Sequence, residues 1–307
     1  MKNLRNWSLL LVSFFAITAI QSCQKDDIPL EQDKIVESDN PLDKIVDITS
    51  NPKKDGNGVI TLYYLEEGKI AKKENFKVTG SDLEFQKDIK KHEELWGLVK
   101  KIIPLKYRKK LDQFAILIKD APVTGAMSPV DEKLDFHILS INIDVAYFGG
   151  VFNKDGTMAY TIIHELGHLV AENNEQLDTS IPESSCKNYV ADACSYDKSY
   201  INQLYTRFWS DIYEEFKNLE DTQDASLAFH AKYKDRFLTW YAASNISEDI
   251  AEVFAGFVTI AEKPKGNSIA EQKIKLMYEY PELAELRKYI RENLPSIPKQ
   301  SDQNKED

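Results

Sequence analysis

The stretch MAYTIIHELGHLVAEN, residues 158–173, constrains the fold of this 307-residue chain more than any other. Tyr160, Ile162, Ile163, Leu166, Leu169 and Val170 recur at helical spacing and cover most of the circumference. A helix that is apolar nearly all round belongs in an interior. This one also carries His164, Glu165 and His168, and burying such groups is costly unless something satisfies them. His164 and His168 stand one turn apart and project the same way, as two nitrogen ligands to zinc would. Glu165 is rotated by about 100° from His164, so it reaches past a metal toward a bound water. Gly167 has no side chain and lets another segment approach closely. Asp155 or Thr157 is expected to cap the start of this helix.

Catalytic zinc takes three protein ligands and keeps one position open. His168 is followed by LVAENNEQ, which holds no histidine, so the third ligand must come from elsewhere. SNISEDIAEVFAGFV, residues 244–258, reads as a second buried helix capped by Asn245 or Ser247, with Ile250, Val253, Phe254 and Phe257 facing inward. Glu248, Asp249 and Glu252 lie beside that face. Glu248 and Glu252 are one turn apart, so one can bind metal while the other steadies a ligand histidine from behind.

The pattern Y…SEDIAEVFAGF after an HExxH helix resembles the catalytic domain of anthrax lethal factor and the related secreted Pro-Pro endopeptidases. KIKLMYEYPELAELRKYIRENL is similar to the closing helices of that family, and the resemblance covers about residues 85–293. It implies an α+β, zincin-like fold: a small mixed sheet and the motif helix, followed by a mainly helical C-terminal subdomain. It also implies one zinc per chain on His164, His168 and Glu248, with Glu165 as catalytic base. Tyr241 in TWYAASNISE would stabilise the transition state, and Glu252 and Asp249 would stand behind the ligands. The chain departs from the family between His168 and Glu248. That stretch is longer, holds Cys186 and Cys194, and adds helical segments near 199–219 and 224–240. Such an insertion can reshape the substrate cleft, so neither relative's specificity carries over. His230 in LAFHAKY is the other candidate for the oxyanion role, while Tyr160, Tyr189 and Tyr233 read as core or surface residues.

Ahead of the motif, DLEFQKDIKKHEELWGLVKKII reads as one helix with His92 on its surface. FAILIKD, TGAMSPV and DFHILSINIDV read as strands, with His137 a sheet histidine. An edge near HILSINIDV would accept an extended peptide.

The ends of the chain bear on location. Lys2 and Arg5 precede the apolar run Trp7–Ile20 and then Cys23, a pattern that resembles a lipoprotein signal. The expected divisions are a leader at 1–22, a tether at 23–58, one domain at 59–298 and a tail at 299–307. Lipid on Cys23 would anchor the protein in the outer membrane of a Gram-negative bacterium, and QKDD resembles the acidic signal for the outer face. Beyond residue 22, 37 basic side chains face 50 acidic ones, a net of −13 that argues against nucleic acid as a partner. Outside the cytoplasm, Cys186 and Cys194 are expected to form a disulfide. These features together lead to the expectation of a monomeric, lipid-tethered zinc endopeptidase acting on peptide or protein. The competing expectations are a zinc hydrolase of a non-peptide amide and a peptide-capturing lipoprotein with a non-catalytic zinc.

Overall fold

The computed structural model describes residues 46–47, 58–190, 193–220 and 222–294. The expected leader, Cys23, most of the tether and the tail lie outside these residues. The architecture is α+β. Strands β1 (Val46–Asp47), β2 (Val59–Glu66) and β3 (Lys69–Asn75) are followed by helices α1 (Gly80–Lys87), α2 (Ile89–Ile102) and α3 (Leu105–Arg108). Then come β4 (Leu111–Leu117), β5 (Gly125–Pro129), β6 (His137–Asn142), α4 (Ile143–Ala146) and the motif helix α5 (Thr157–Ala171). Three short strands, β7 (Leu177–Asp178), β8 (Tyr189–Val190) and β9 (Ala193–Ser195), lead into α6 (Tyr200–Phe208), α7 (Tyr213–Phe216) and α8 (Gln223–Lys232). The chain closes with α9 (Ile246–Thr259), α10 (Ile269–Met277) and α11 (Pro281–Asn293). Among the described residues, no helix is long and apolar enough to cross a membrane.

The main sheet runs β1-β3-β2-β4-β6-β5. β4 and β6 are parallel neighbours, and the run Phe114, Ala115 and Ile116 is buried throughout, as a strand covered on both faces requires. β5 lies antiparallel to β6 on the outer edge. β6 itself is therefore interior, and the edge expected near HILSINIDV is β5 beside it. β6 also stops short of Val145, because the Asn142 side chain accepts from the backbone N–H groups of Asp144 and Val145 and starts α4. The β2–β3 hairpin is not among the expected strands, although Ile60, Tyr63 and Leu65 of β2 are buried.

The helix expected over DLEFQKDIKKHEELWGLVKKII is two helices. Asp88, with ψ of 77°, ends α1, and its side chain accepts from Lys91 N–H to cap α2. His92 is not a surface residue. It lies on the α2 stripe with Leu95, Trp96 and Val99, fully buried, 2.7 Å from the Tyr63 hydroxyl and 2.9 Å from the Phe85 carbonyl. His137 is buried in β6 as a sheet histidine. Neither expected cap begins α5, whose N-cap is Gly156 without a side-chain bond. Cys186 and Cys194 are joined by a disulfide, with Cα atoms 5.6 Å apart.

Beneath the sheet, α5 packs against α9, and α9 against α6, α10 and α11. The α5–α9 crossing is close because a Cβ on Gly167 would stand 2.9 Å from Ala251 Cα and 3.2 Å from Phe254 Cβ. Asn245 caps α9 by accepting from Glu248 N–H at 2.9 Å. The far end of α9 is closed from α11. Arg287 donates to the carbonyls of Phe257, Ile260 and Ala261, and Arg291 to those of Val258 and Thr259.

Two outcomes are expected. Alanine is worth about 1 kcal/mol more than glycine in a helix, but at Gly167 the backbone of Ala251 cannot yield. Gly167→Ala should therefore lose about 1–3 kcal/mol net, read as a lower melting temperature. Burial pulls the His92 pKa down from 6.5 to about 4. The unfolded chain thus takes up this proton first, and stability on the order of 3 kcal/mol should drain away as pH falls from about 6.5 to about 4. His92→Gln should flatten that part of the melting-temperature profile.

Candidate metal centre

Helix α5 delivers His164 and His168 from one face, and the α9 crossing brings Glu248 against them. His164 Nε2 lies 3.2 Å from His168 Nε2 and 3.1 Å from Glu248 Oε2, and His168 Nε2 lies 3.5 Å from the same oxygen. Zinc bound tetrahedrally at about 2.0–2.1 Å separates its ligand atoms by about 3.3–3.4 Å, so the three atoms already stand at the corners such an ion needs. Among the described residues, this trio is the one cluster of metal-binding donors. Its solvent access is partial, with 12% of the His168 side chain and 19% of the Glu248 side chain exposed.

Carboxylates fix both imidazoles from behind. Glu252 Oε1 lies 2.8 Å from His164 Nδ1, and Glu172 Oε1 lies 3.4 Å from His168 Nδ1. Each pairing favours the proton on Nδ1 and leaves the Nε2 lone pair toward the cluster. Burial disfavours charge on His164, yet the hydrogen-bonded carboxylates of Glu248 and Glu252 raise its pKa to about 10. His168 is raised too, with Glu172 and Glu248 overcoming burial. Burial would push the Glu248 carboxyl up, but His168 and His164 hold it well below the carboxylate range. Four acids thus surround two imidazoles in a buried site, an excess of negative charge that calls for protons or for a dication. The donor set and its spacing fit zinc.

Glu165 is buried beside the cluster and lies at hand to β5. A Cβ on Gly125 would come within 2.6 Å of Thr161 Cγ2 and 3.3 Å of Glu165 Oε1, so only glycine lets the edge strand pass this close. The Met127 backbone N–H faces the Glu165 carboxyl, whose pKa burial raises against the pull of His164 and His168. Tyr241 sits on a short turn, Tyr241–Ala243, with its ring centroid 5.8 Å from that of His164 and 37% of its surface exposed. Burial of the hydroxyl, together with Glu248 and Glu165, holds its pKa far above that of free tyrosine, so it remains a donor.

Asp249 does not stand behind the ligands. It turns the other way along α9, where its Oδ2 accepts from Trp209 Nε1 and Lys273 Nζ, both at 2.6 Å. That pair is fully buried, so Asp249 anchors α9 to α10. His230 packs its ring on Phe237, at 6.5 Å between centroids, and is not among the metal-binding trio. Tyr160 is more than a core residue, because its hydroxyl donates to Glu252 Oε2 at 2.9 Å. Thr239 and Glu172 were not among the expected site residues. Thr239 donates to the same Glu252 oxygen at 2.9 Å. Tyr160, His164, His168 and Glu172 form a stripe at intervals of four along α5, a signal present in the sequence.

No protein-family model matches the chain, and no curated protein matches it. A crystal structure of a candidate zinc-binding metallo-peptidase from Bacteroides caccae is similar at a TM-score of 0.36 and 16% identity, over 84% of this chain and 88% of that one. A likeness this slight does not bear on the site, whose reading rests on its own geometry.

Wild-type protein should carry one zinc per chain by elemental analysis, and Glu248→Ala should lose most of it. Full zinc occupancy in Glu248→Ala would transfer the third ligand to another acid.

Proposed function

We propose that the protein is a zinc-dependent endopeptidase. The observation that carries this reading is the trio His164, His168 and Glu248 at tetrahedral spacing, with Glu165 buried beside it. Zinc bound there would polarise a peptide carbonyl and lower the pKa of a water toward about 7. Glu165 would take a proton from the attacking water and deliver it to the leaving amine. Tyr241, a protonated donor beside His164, hydrogen-bonds the oxygen on which charge develops. This role for Tyr241 also draws on the resemblance to lethal factor and the Pro-Pro endopeptidases. An extended peptide would add to the outer edge of β5, the edge strand among the described residues, which runs past Glu165.

A closed structural zinc takes four protein ligands. The trio offers three, with a base at its side, which favours catalysis over simple peptide capture. The leader-like residues 1–22 and Cys23 support a location outside the cytoplasm on a lipid anchor, where peptide or protein substrates would be met.

The test is digestion of a diverse peptide library with and without a chelator. Glu165→Gln should keep its zinc and its melting temperature while losing at least about 10²-fold in kcat, because a carboxamide cannot accept the proton. Wild-type cleavage that survives full zinc removal, or Glu165→Gln cleaving at the wild-type rate, would defeat the reading.

A further inference from the structure

A single hydroxyl joins the back of the metal centre to the turn that presents Tyr241. Thr239 Oγ1 donates to Glu252 Oε2 at 2.9 Å and accepts from the Ala242 backbone N–H at 3.0 Å. The other oxygen of Glu252 faces His164 Nδ1 at 2.8 Å. Ala242 follows Tyr241 directly, and two more backbone bonds, Ala243 N–H to Trp240 and Ser244 N–H to Tyr241, shape the same turn. The hydroxyl therefore uses one donor and one acceptor. One end bears on how the His164 ring is held and the other on where the Tyr241 hydroxyl sits.

We infer that Thr239 is a positioning residue that locks the Tyr241 turn to the carboxylate behind His164, so that metal retention and transition-state stabilisation share one hydroxyl. The inference rests on the proposed role of Tyr241 for its kinetic part only. Glu252 also accepts from Tyr160 on α5. A serine at position 239 keeps both hydrogen bonds, whereas a valine keeps the shape and loses both.

The experiment uses full-length zinc-loaded protein. Zinc affinity is measured by competition with a chromogenic chelator in wild type, Thr239→Val and Thr239→Ser, and kcat and KM are measured at saturating zinc. Thr239→Val should bind zinc about 10–100-fold more weakly, and Thr239→Ser should restore most of that loss. At saturating zinc, Thr239→Val should lower kcat with KM little changed. In a Tyr241→Phe background it should lower kcat no further, because the two changes remove one function. Wild-type zinc affinity in Thr239→Val, failure of serine to restore it, or fully additive losses of kcat would each overturn the inference. Should Thr239→Val not fold, Thr239→Ala carries the same comparison. If wild-type protein cleaves nothing, the peptidase reading falls, and the zinc competition alone decides Thr239.

Discussion

The contact between Gly167 and Ala251 sets the rest of the site. Three candidate ligands come from two helices, and only their separation decides whether Glu248 Oε2 falls near 3 Å or far from the two imidazole nitrogens. Glycine brings the α5 backbone against that of α9 and so fixes that separation. Other parts of the fold hold α9 in place along its axis. Asn245 closes its start, the buried Asp249–Lys273 pair ties it to α10, and Arg287 and Arg291 close its end. A buried ion pair adds little stability for its desolvation cost, but breaking one is expensive, so it fixes a register well.

Glu252 is the hub of the second layer. Its two oxygens take His164, Tyr160 and Thr239, which leaves the carboxylate hydrogen-bonded from three directions. Such saturation is what allows a charge to lie in the interior. It also sets the tautomer of His164. The candidate ligands are thus oriented by partners drawn from α5, α9 and the segment leading to the Tyr241 turn.

Legibility from sequence followed the strength of each physical signal. The buried polar stripe of α5 and the acids of α9 could be read because each sits against an apolar face with few alternatives. The residues alone did not decide which acid points where. Asp249 and Glu252 are three positions apart and both buried, and only the location of Lys273 separates their roles. His92 reads as a surface residue because its charged neighbours obscure its place on the stripe of Leu95 and Val99. Thr239 could not be found, since a lone threonine carries no pattern and its two partners meet only in the folded chain. The α1–α2 break and the β6 end turned on side-chain caps at Asp88 and Asn142, which compete with continued helix or strand.

The spacing of the ligands along the chain has a topological consequence. The disulfide spans a sequence separation of 8, so it closes only a short loop in the unfolded chain. His164 and Glu248 are separated by 84 residues. A dication gripped by both acts as a long-range cross-link, and by the chain-entropy relation a closure of that size is worth about 4–5 kcal/mol, against about 2–3 for the short loop. Metal would therefore be the longer-reaching of the two staples. Its release would return that freedom to the unfolded stretch between α5 and α9, which includes the disulfide hairpin and α6–α8, and so lower the stability of the fold.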